Sequence, residues 1–569
     1  MPTQARLIAG LIIAAVVQTA IIAIPTIPLG VPGEWDWRRH ALPASFMAAV
    51  AQFVPAIVGA TVLLCVARFG NNRLFRQHRR IAENEDFRRH GPPVAVSGIM
   101  LLSLVFGTWV WVKTVERCTP APHRNLKSMW VLYDPSSSGY FYEAAFKINS
   151  TSHFLSSYTE RTQEGEVYHS GTHPPGLFVL SRWILQCCRN VPLAAAQLHD
   201  WIFSGDLKAF RALESSARLK RPLSESDLAA LFLLSEMTTL AAACTVIPLF
   251  FTLRLCFDVL TAWRTTCLWA TVPCLVVFLP KSDVLFTLTS MAAASFGIMA
   301  LMSSHDLSKR LCFSVASGSV LWCGLMMSLA HLPVLALLGM VMLIRFVRDG
   351  ISSGGLRESH SNQMRKSGTM EELPGCETEV NFSRKAVISR DLFVAGVIVA
   401  TVAVLTLVFS IATDCDMFSV WQMNLRNHAA FYDVHTRTAW KWLIVNPLEL
   451  GMAIGLPVAL ISLAGLRHGV AANWRKSTRD SVSMSVDMSL AVVLTISVLW
   501  ISCRNSGEAA RLWCFLTPWL MVIPAHLLGS ESDSHRVVGT SSSVVWHTAL
   551  LAQMVVCILT SGRVSGFSF

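Results

Sequence analysis

The chain has 569 residues, of which 53% are hydrophobic and only 15% charged, with a formal net charge of +11. A soluble domain carries roughly 25% charged residues, so an ordinary water-soluble globule is excluded. The surplus Lys and Arg would suit nucleic acid in a soluble chain, but here they gather in loops beside apolar runs, which marks cytoplasmic loops and argues against a nucleic-acid partner.

Apolar runs near the roughly 20 residues that a helix needs to cross a bilayer recur along the whole chain. Alternating ten-residue strands are absent, so the spans are expected to be helices and not a barrel. The first three are predicted at 6–29, 44–66 and 94–112. Between the second and third lie Arg68, Arg73, Arg76, Arg79, Arg80, Arg88 and Arg89, a cytoplasmic signature. The loop 113–172 then falls outside. A fourth span is expected to open at Pro174-Pro175 and run through 176–185. Further spans are predicted at 228–251, 267–279, 284–302, 311–329, 334–346, 392–412, 442–463, 490–501, 512–528 and 544–559. Counting crossings from the two ends disagrees by one, so an extra crossing or re-entrant piece is expected between 176 and 264, with the amphipathic segment 191–203 as its candidate.

The fold class is therefore an all-α polytopic membrane protein of about 13–15 transmembrane helices, with a structured outer loop carrying short helices. Four regions are expected: 1–92, two spans and a basic loop; 93–346, a core whose outer loop 113–173 is catalytic; 347–390, a Ser/Gly/Glu-rich cytoplasmic loop; and 391–569, the last spans with an outer loop at 413–441. The 15 Cys show no CxxC pair and no zinc-like spacing with His. No P-loop, GxGxxG, HExxH or GxSxG is present. No motif specifies a cofactor or a metal ligand set, and the chemistry admits a divalent cation.

Polar chemistry concentrates between 133 and 176. Asp134 sits in YDPSSSGYFYEAAF, after an apolar-aromatic run and before a Ser/Gly turn. A turn or N-cap role is the plain reading of such an Asp; the functional one is a carboxylate at the membrane surface that takes a proton from an acceptor hydroxyl. Tyr140 and Glu143 follow on the next short helix. In YHSGTHPPG, His169 and His173 flank a Gly turn, and the Pro pair fixes how the chain enters the next element. Asp283 lies in FLPKSDVLF beside Lys281, where a local ion pair or cap is the plain alternative. His331, in HLP, interrupts an apolar run at the same level. The segment RNHAAFYDVHTRTAWK brings His428, Tyr432 and Arg437, either as an interfacial helix or as a cover over the cavity. Finally, CRNSGEAARLW sets Arg504, Glu508 and Arg511 at the mouth of apolar spans, where charges are costly without a purpose and Arg suits phosphate.

An Asp in the first outer loop, a His-Pro-Pro motif opening the next element, and a Pro-Lys-Ser-Asp turn together resemble the glycosyltransferase C superfamily. These are polytopic enzymes that use polyprenyl- or dolichyl-phosphate sugars, and the nearest likeness is to the protein mannosyltransferase and aminoarabinose transferase branch. The resemblance implies Asp134 as catalytic base or acceptor-orienting group. It implies His169 and His173 in the donor pocket, and Arg504, Glu508 and Arg511 around the lipid phosphate. Tyr140, Glu143, Asp283, His331, His428, Tyr432 and Arg437 would line the cavity. Where that family often carries two adjacent acids, Asp134 stands next to Pro135 and Ser136.

The function so implied is transfer of a hexosyl or pentosyl group from a polyprenyl-phosphate-linked sugar to a glycan, lipid or protein acceptor. It would take place on the outer face of the cytoplasmic membrane. The competing reading is a transporter or flippase for a lipid-linked or anionic solute. Such a protein should carry acids and broken helices at mid-membrane depth, often in repeated halves, and no internal repeat is visible.

Overall fold

The computed structural model describes the whole chain except residues 1, 42, 84–97, 122, 168–170, 216–221, 304–305, 349–374, 471–480, 504, 530–538 and 567–569. The described residues form an all-α bundle with four two-residue strands. Among the described residues, eleven helices are long and apolar enough to cross a membrane. A pair broken by a 104° bend at Gly455 and the shorter apolar helix Cys514–Leu528 add to them, reaching the lower end of the expected range.

The first elements are α1 (Pro2–Ala23), the strands β1 (Gly30–Val31), β2 (Trp35–Asp36) and β3 (Arg38–Arg39), then α2 (Phe46–Glu83) and α3 (Gly98–Glu116). α1 and α2 leave large apolar side chains such as Ile12, Ile13, Val16, Ile57 and Val58 exposed, as a lipid-facing surface requires. After α3 the chain breaks into short helices: α4 (His123–Tyr133), α5 (Tyr140–Phe146), α6 (Thr151–Ser156), α7 (Tyr158–Gln163), α8 (Gly176–Asn190), α9 (Pro192–Asp200) and α10 (Ser204–Ser215).

Here the expected fourth span is corrected. α8 has 15 residues, about 22 Å of helix at 1.5 Å per residue, and unlike the equally short Cys514–Leu528 it carries Arg182 and Arg189 and is not apolar enough to cross. Arg189 at its end pairs with Asp227 at 2.9 Å, at the start of the next span, and Arg117 pairs with Asp206 in α10 at 2.6 Å. The described residues from Arg117 to Ser224 therefore stay at one end of the bundle. The crossing count closes by deleting a span, and no extra crossing at 191–203 is needed. Trp183, Val191, Leu193, Trp201 and Phe203 are exposed on this run, the composition of helices lying along a membrane surface.

The spans resume with α11 (Glu225–Cys244) and α12 (Val246–Cys256), which count together as one crossing. Ser224 and Asp227 close a reciprocal capping box at its start. Then come α13 (Val259–Trp269), α14 (Pro273–Val277), α15 (Ser282–Met302), α16 (Leu307–Met327), α17 (Leu329–Arg348) and α18 (Gly375–Thr413). α19 (Met417–Val434) precedes the bent pair α20 (Ala439–Ile454) and α21 (Leu456–Gly465), followed by α22 (Ser481–Ile501), α23 (Ala509–Leu512), α24 (Cys514–Leu528), α25 (Gly539–Arg563) and β4 (Val564–Ser565). α13 and α14 are buried throughout, so this pair is the axis around which the other spans pack. β3 pairs antiparallel with β4, joining residues 38–39 to 564–565 at the same end as the short helices.

Candidate active site

α4 delivers Asp134 directly. The Asp134 carbonyl accepts from the N–H groups of Ser137, Ser138 and Gly139 at 3.0–3.2 Å. Its carboxylate accepts from the hydroxyls of Ser136 and of Ser137, the latter at 3.1 Å. This is a tight Asp-Ser turn, closed by Gly139 at φ 71°, where a side chain would be strained. Asp134 is half-buried and close enough to Lys281 to favour that side chain's charge. Tyr140, the first residue of α5, is buried with its ring edge-on to His173 at 5.6 Å and Phe178 at 5.1 Å. Burial pushes its phenol well above the ordinary range. Glu143 instead pairs with Lys147 at 2.5 Å along the same helix.

Facing this turn, the link into α15 carries Lys281 and the first turn of α15 carries Asp283, while the link into α23 carries Glu508 and α23 itself Arg511. Arg511 Nε lies 3.8 Å from Asp283 Oδ2, and its Nη2 contacts Glu508. Burial and the neighbouring Arg511 bring the Lys281 ammonium down to about 7, although Asp283, Glu508 and Asp134 oppose the shift. Arg511 remains protonated: burial disfavours its charge, but Glu508 and Asp283 outweigh that and hold it above its usual value. Glu508 adopts the left-handed backbone conformation at φ 58°, uncommon for a residue with a side chain. That turn is braced from below: Glu449 accepts from the Ala509 N–H at 3.2 Å and from the Trp37 indole at 2.8 Å. At Gly507, with φ 89°, an added Cβ would lie 3.3 Å from the Trp442 ring.

The third wall comes from α19 and the chain before α8. Asn424 donates to the Gly171 carbonyl at 2.7 Å, and Asn427 to the carbonyls of Thr162 and Gly171 at 2.8 and 2.9 Å. Tyr158 donates to the His173 carbonyl at 2.7 Å. His173 is thereby fixed, and burial, with His428, Lys281 and Arg511 nearby, lowers it to about 4, so it is neutral near pH 7. Burial and Glu508 raise Tyr432 to about 12. Arg437 donates to the Glu34 carbonyl. The Glu34 carboxylate accepts from the Thr438 N–H at 2.8 Å, the Thr438 hydroxyl at 2.6 Å and the Trp442 indole at 2.7 Å. Its burial disfavours charge, yet these donors hold it at about 2.

Asp134, Tyr140, His173, Asp283, Tyr432, Glu508 and Arg511 thus converge, with His428 and Arg437 at the edge. His331 does not join them. It is buried between Thr289, at 2.8 Å, and the Ser328 carbonyl, at 3.1 Å, and packs on Phe286 and Phe515 as a satisfied core side chain. His169 and Arg504 lie outside the described residues. Among the described residues no group of three His, Cys, Asp or Glu is placed to hold a metal ion. Lys281, Glu449, Glu34 and Trp37 were not singled out from the sequence. Lys281 was visible beside Asp283 but reads there as a mere ion-pair neighbour. An apolar groove lined by Leu132, Leu177, Leu180, Met237 and Leu285 reaches this cluster at Tyr140 and Ser282.

No family model matches the chain, and no curated protein matches it. Among solved structures it is similar to the oligosaccharyltransferase of Archaeoglobus fulgidus in complex with Zn and sulfate, at 11% identity and a TM-score of 0.40, covering 81% of this chain and 54% of that one. It is also similar to the oligosaccharyltransferase AglB from the same organism in complex with an inhibitory peptide and a dolichol-phosphate, at 10% identity and a TM-score of 0.42, covering 82% and 56%. The chain spans about half the length of the structures it matches.

Proposed function

We propose that the protein is a membrane glycosyltransferase that moves a sugar from a polyprenyl-phosphate donor to an acceptor hydroxyl. One observation carries this reading: Lys281 and Arg511, two half-buried basic side chains, sit together at the ends of the spans, beside an apolar groove that opens at Tyr140, Pro280 and Ser282. That is the arrangement a phosphate on a lipid chain needs, with the chain in the groove and the charge at its mouth. Asp283 and Glu508 hold Arg511 in place before the phosphate arrives.

In the reaction Asp134 takes the acceptor's proton as the acceptor oxygen bonds to the anomeric carbon. The bond from that carbon to the phosphate oxygen breaks, and its electron pair leaves with the lipid phosphate. Lys281 and Arg511 meet the charge that develops there, and a single displacement inverts the anomeric configuration. Neutral His173 and the Tyr140 hydroxyl supply hydrogen bonds to the sugar without adding charge. The Arg68, Arg73 and Arg76 side of α2 lies at the opposite end, and the positive-inside rule supports the reading that this site faces outward from the cytoplasmic membrane.

The test is purified protein in proteoliposomes with a panel of polyprenyl-phosphate sugars, reading glycosylated product by mass spectrometry. Turnover of one donor is expected, with Asp134→Asn inactive but folded. Transfer at the wild-type rate by Asp134→Asn would remove Asp134 from the chemistry, and consumption of no donor would sink the reading.

A further inference from the structure

A second group of basic side chains, buried or half-buried, lies at the same end of the bundle and shares no residue with the first. The register of β3 and β4, Arg38 opposite Ser565 and Arg39 opposite Val564, sets His40 opposite Arg563. The His40 N–H donates to the Arg563 carbonyl at 2.8 Å. Residues directly opposed in an antiparallel pair project to the same side. From the facing element, His123 and Lys127 are four apart on α4 and so share one helix face. The two pairs meet: the His40 and His123 rings are 4.5 Å apart between centroids. Lys127 is 3% exposed and donates to the Val276 carbonyl at 2.7 Å.

The donors outnumber what the protein offers them. His40 is 8% exposed, and its Nε2 has no hydrogen-bond partner among the described residues; neither do the buried Nε and Nη1 atoms of Arg563. Burial with His123, Lys127 and Arg563 around it takes His40 down to about 4, and burial brings Lys127 to about 8. The carboxylate near Lys127 is Glu116, which Lys113 already shares at 3.5 Å. Arg39, the next side chain of β3, turns away and donates to the carbonyls of Ile21, Ile22 and Ile27 at the end of α1. An unmade hydrogen bond in a buried place costs about 1–3 kcal/mol, so the unpartnered Arg563 and His40 nitrogens, beside the Lys127 ammonium, call for an anion.

We propose that His40, His123, Lys127 and Arg563 form a phosphate-binding site, separate from Lys281 and Arg511, for a phospholipid headgroup or free phosphate. The Arg fork grips two oxygens of a tetrahedral anion, while the Lys ammonium and the imidazole N–H groups reach the others. Bound there, the anion ties α4, whose far end carries Asp134, to the strands that join the two ends of the chain. This inference does not depend on the glycosyl-transfer reading.

The experiment titrates inorganic phosphate into the purified full chain by calorimetry, in chloride-matched ionic strength. The Arg511→Ala background silences the first cation pair. Phosphate should still bind in that background, about tenfold more weakly once Arg563→Gln is added, with Arg563→Lys restoring most of the affinity. In parallel, native mass spectrometry of protein from phosphatidylglycerol nanodiscs and from phosphate-free glycolipid nanodiscs separates the sources. A phosphatidylglycerol adduct lost in Arg563→Gln names the headgroup, whereas binding of inorganic phosphate without such an adduct names the free anion. The proposal is overturned if wild-type protein binds neither, or if both bind Arg563→Gln as tightly as wild type.

Discussion

Lys281 is the residue whose protonation the proposed reaction should follow. Its folded value of about 7 lies far below that of a free lysine, so it is charged below that pH and neutral above it. Donor binding that uses the ammonium is present at low pH and lost as pH rises through about 7. Lys281→Arg should move that loss well above pH 9, because the guanidinium does not deprotonate there. A binding profile that stays flat from pH 6 to 9 in wild type would exclude Lys281 from the donor site. Arg511→Ala should lower kcat by about 10²-fold or more, as for loss of a transition-state charge partner. Arg511→Lys should recover part of that rate but lose the fork that Asp283 and Glu508 orient. Single-turnover rates with saturating donor distinguish the two.

At this scale the sequence was informative where chemistry is written in neighbours. Glu508 and Arg511 are three apart and make their contact within one turn, so their pairing could be read directly. The same holds for Asp134 and the Ser residues of its turn. Glu449 and Trp37 were out of reach because they meet across 412 residues, and Glu449 meets Ala509 across 60, with no local pattern to announce either. The loop VPGEWDWRRH reads as interfacial aromatics, whereas in the structure Glu34, Trp37 and His40 all turn inward.

At the level of elements, α8 shows why an apolar stretch is not a span. Arg182 and Arg189 punctuate it, and Arg182 donates to the carbonyls of Ala144 and Asn149 beside α5. A short amphipathic helix and a membrane crossing look alike until the crossings are counted. The count was already discordant by one, and the discrepancy marked a surplus span, not a missing one. Single cysteines introduced into α9, α10 and the turn at Ser137 should therefore react with an impermeant thiol reagent from the same side of sealed vesicles. Labelling of α9 from the opposite side to Ser137 would restore the crossing. The clamp of α19 on the loop before α8 is a second element-scale property. Asn427→Ala removes two hydrogen bonds from a buried amide and leaves the Thr162 carbonyl to find another donor, while Gly171 keeps Asn424. A loss of about 1–3 kcal/mol of stability is expected, with a raised donor KM, because His173 is positioned through that loop.

Across the whole molecule, charge is placed at the two ends of the spans for different ends. At the far end Arg348 pairs with Asp487 at 2.5 Å and donates to the Ser483 carbonyl at 2.9 Å, tying α17 to α22. Arg345 lies 3.6 Å from Asp391 and so ties α17 to α18. Breaking such a buried pair strands a charge, and Asp487→Ala should cost about 3 kcal/mol of stability while leaving donor affinity at the other end unchanged. A parallel loss of donor binding in folded protein would mean that the two ends are coupled. The overall architecture was legible because span length and charge placement are set by the bilayer itself. The convergence of three distant segments on one point was not, since packing among helices leaves little trace in any one of them.

The pairing of β3 with β4 has a consequence for biosynthesis. Strand β3 leaves the ribosome early, yet its partner is separated from it by every span between α2 and α25. At about 5–20 residues per second, the first strand waits on the order of a minute before the last one is made. Until then His40 has no Arg563 opposite it, and this end of the bundle stands open in the inserting chain. Closure by β4 therefore follows the making of α25, so a variant with Val564 and Ser565 deleted should insert its helices yet leave His40 without Arg563 held opposite it.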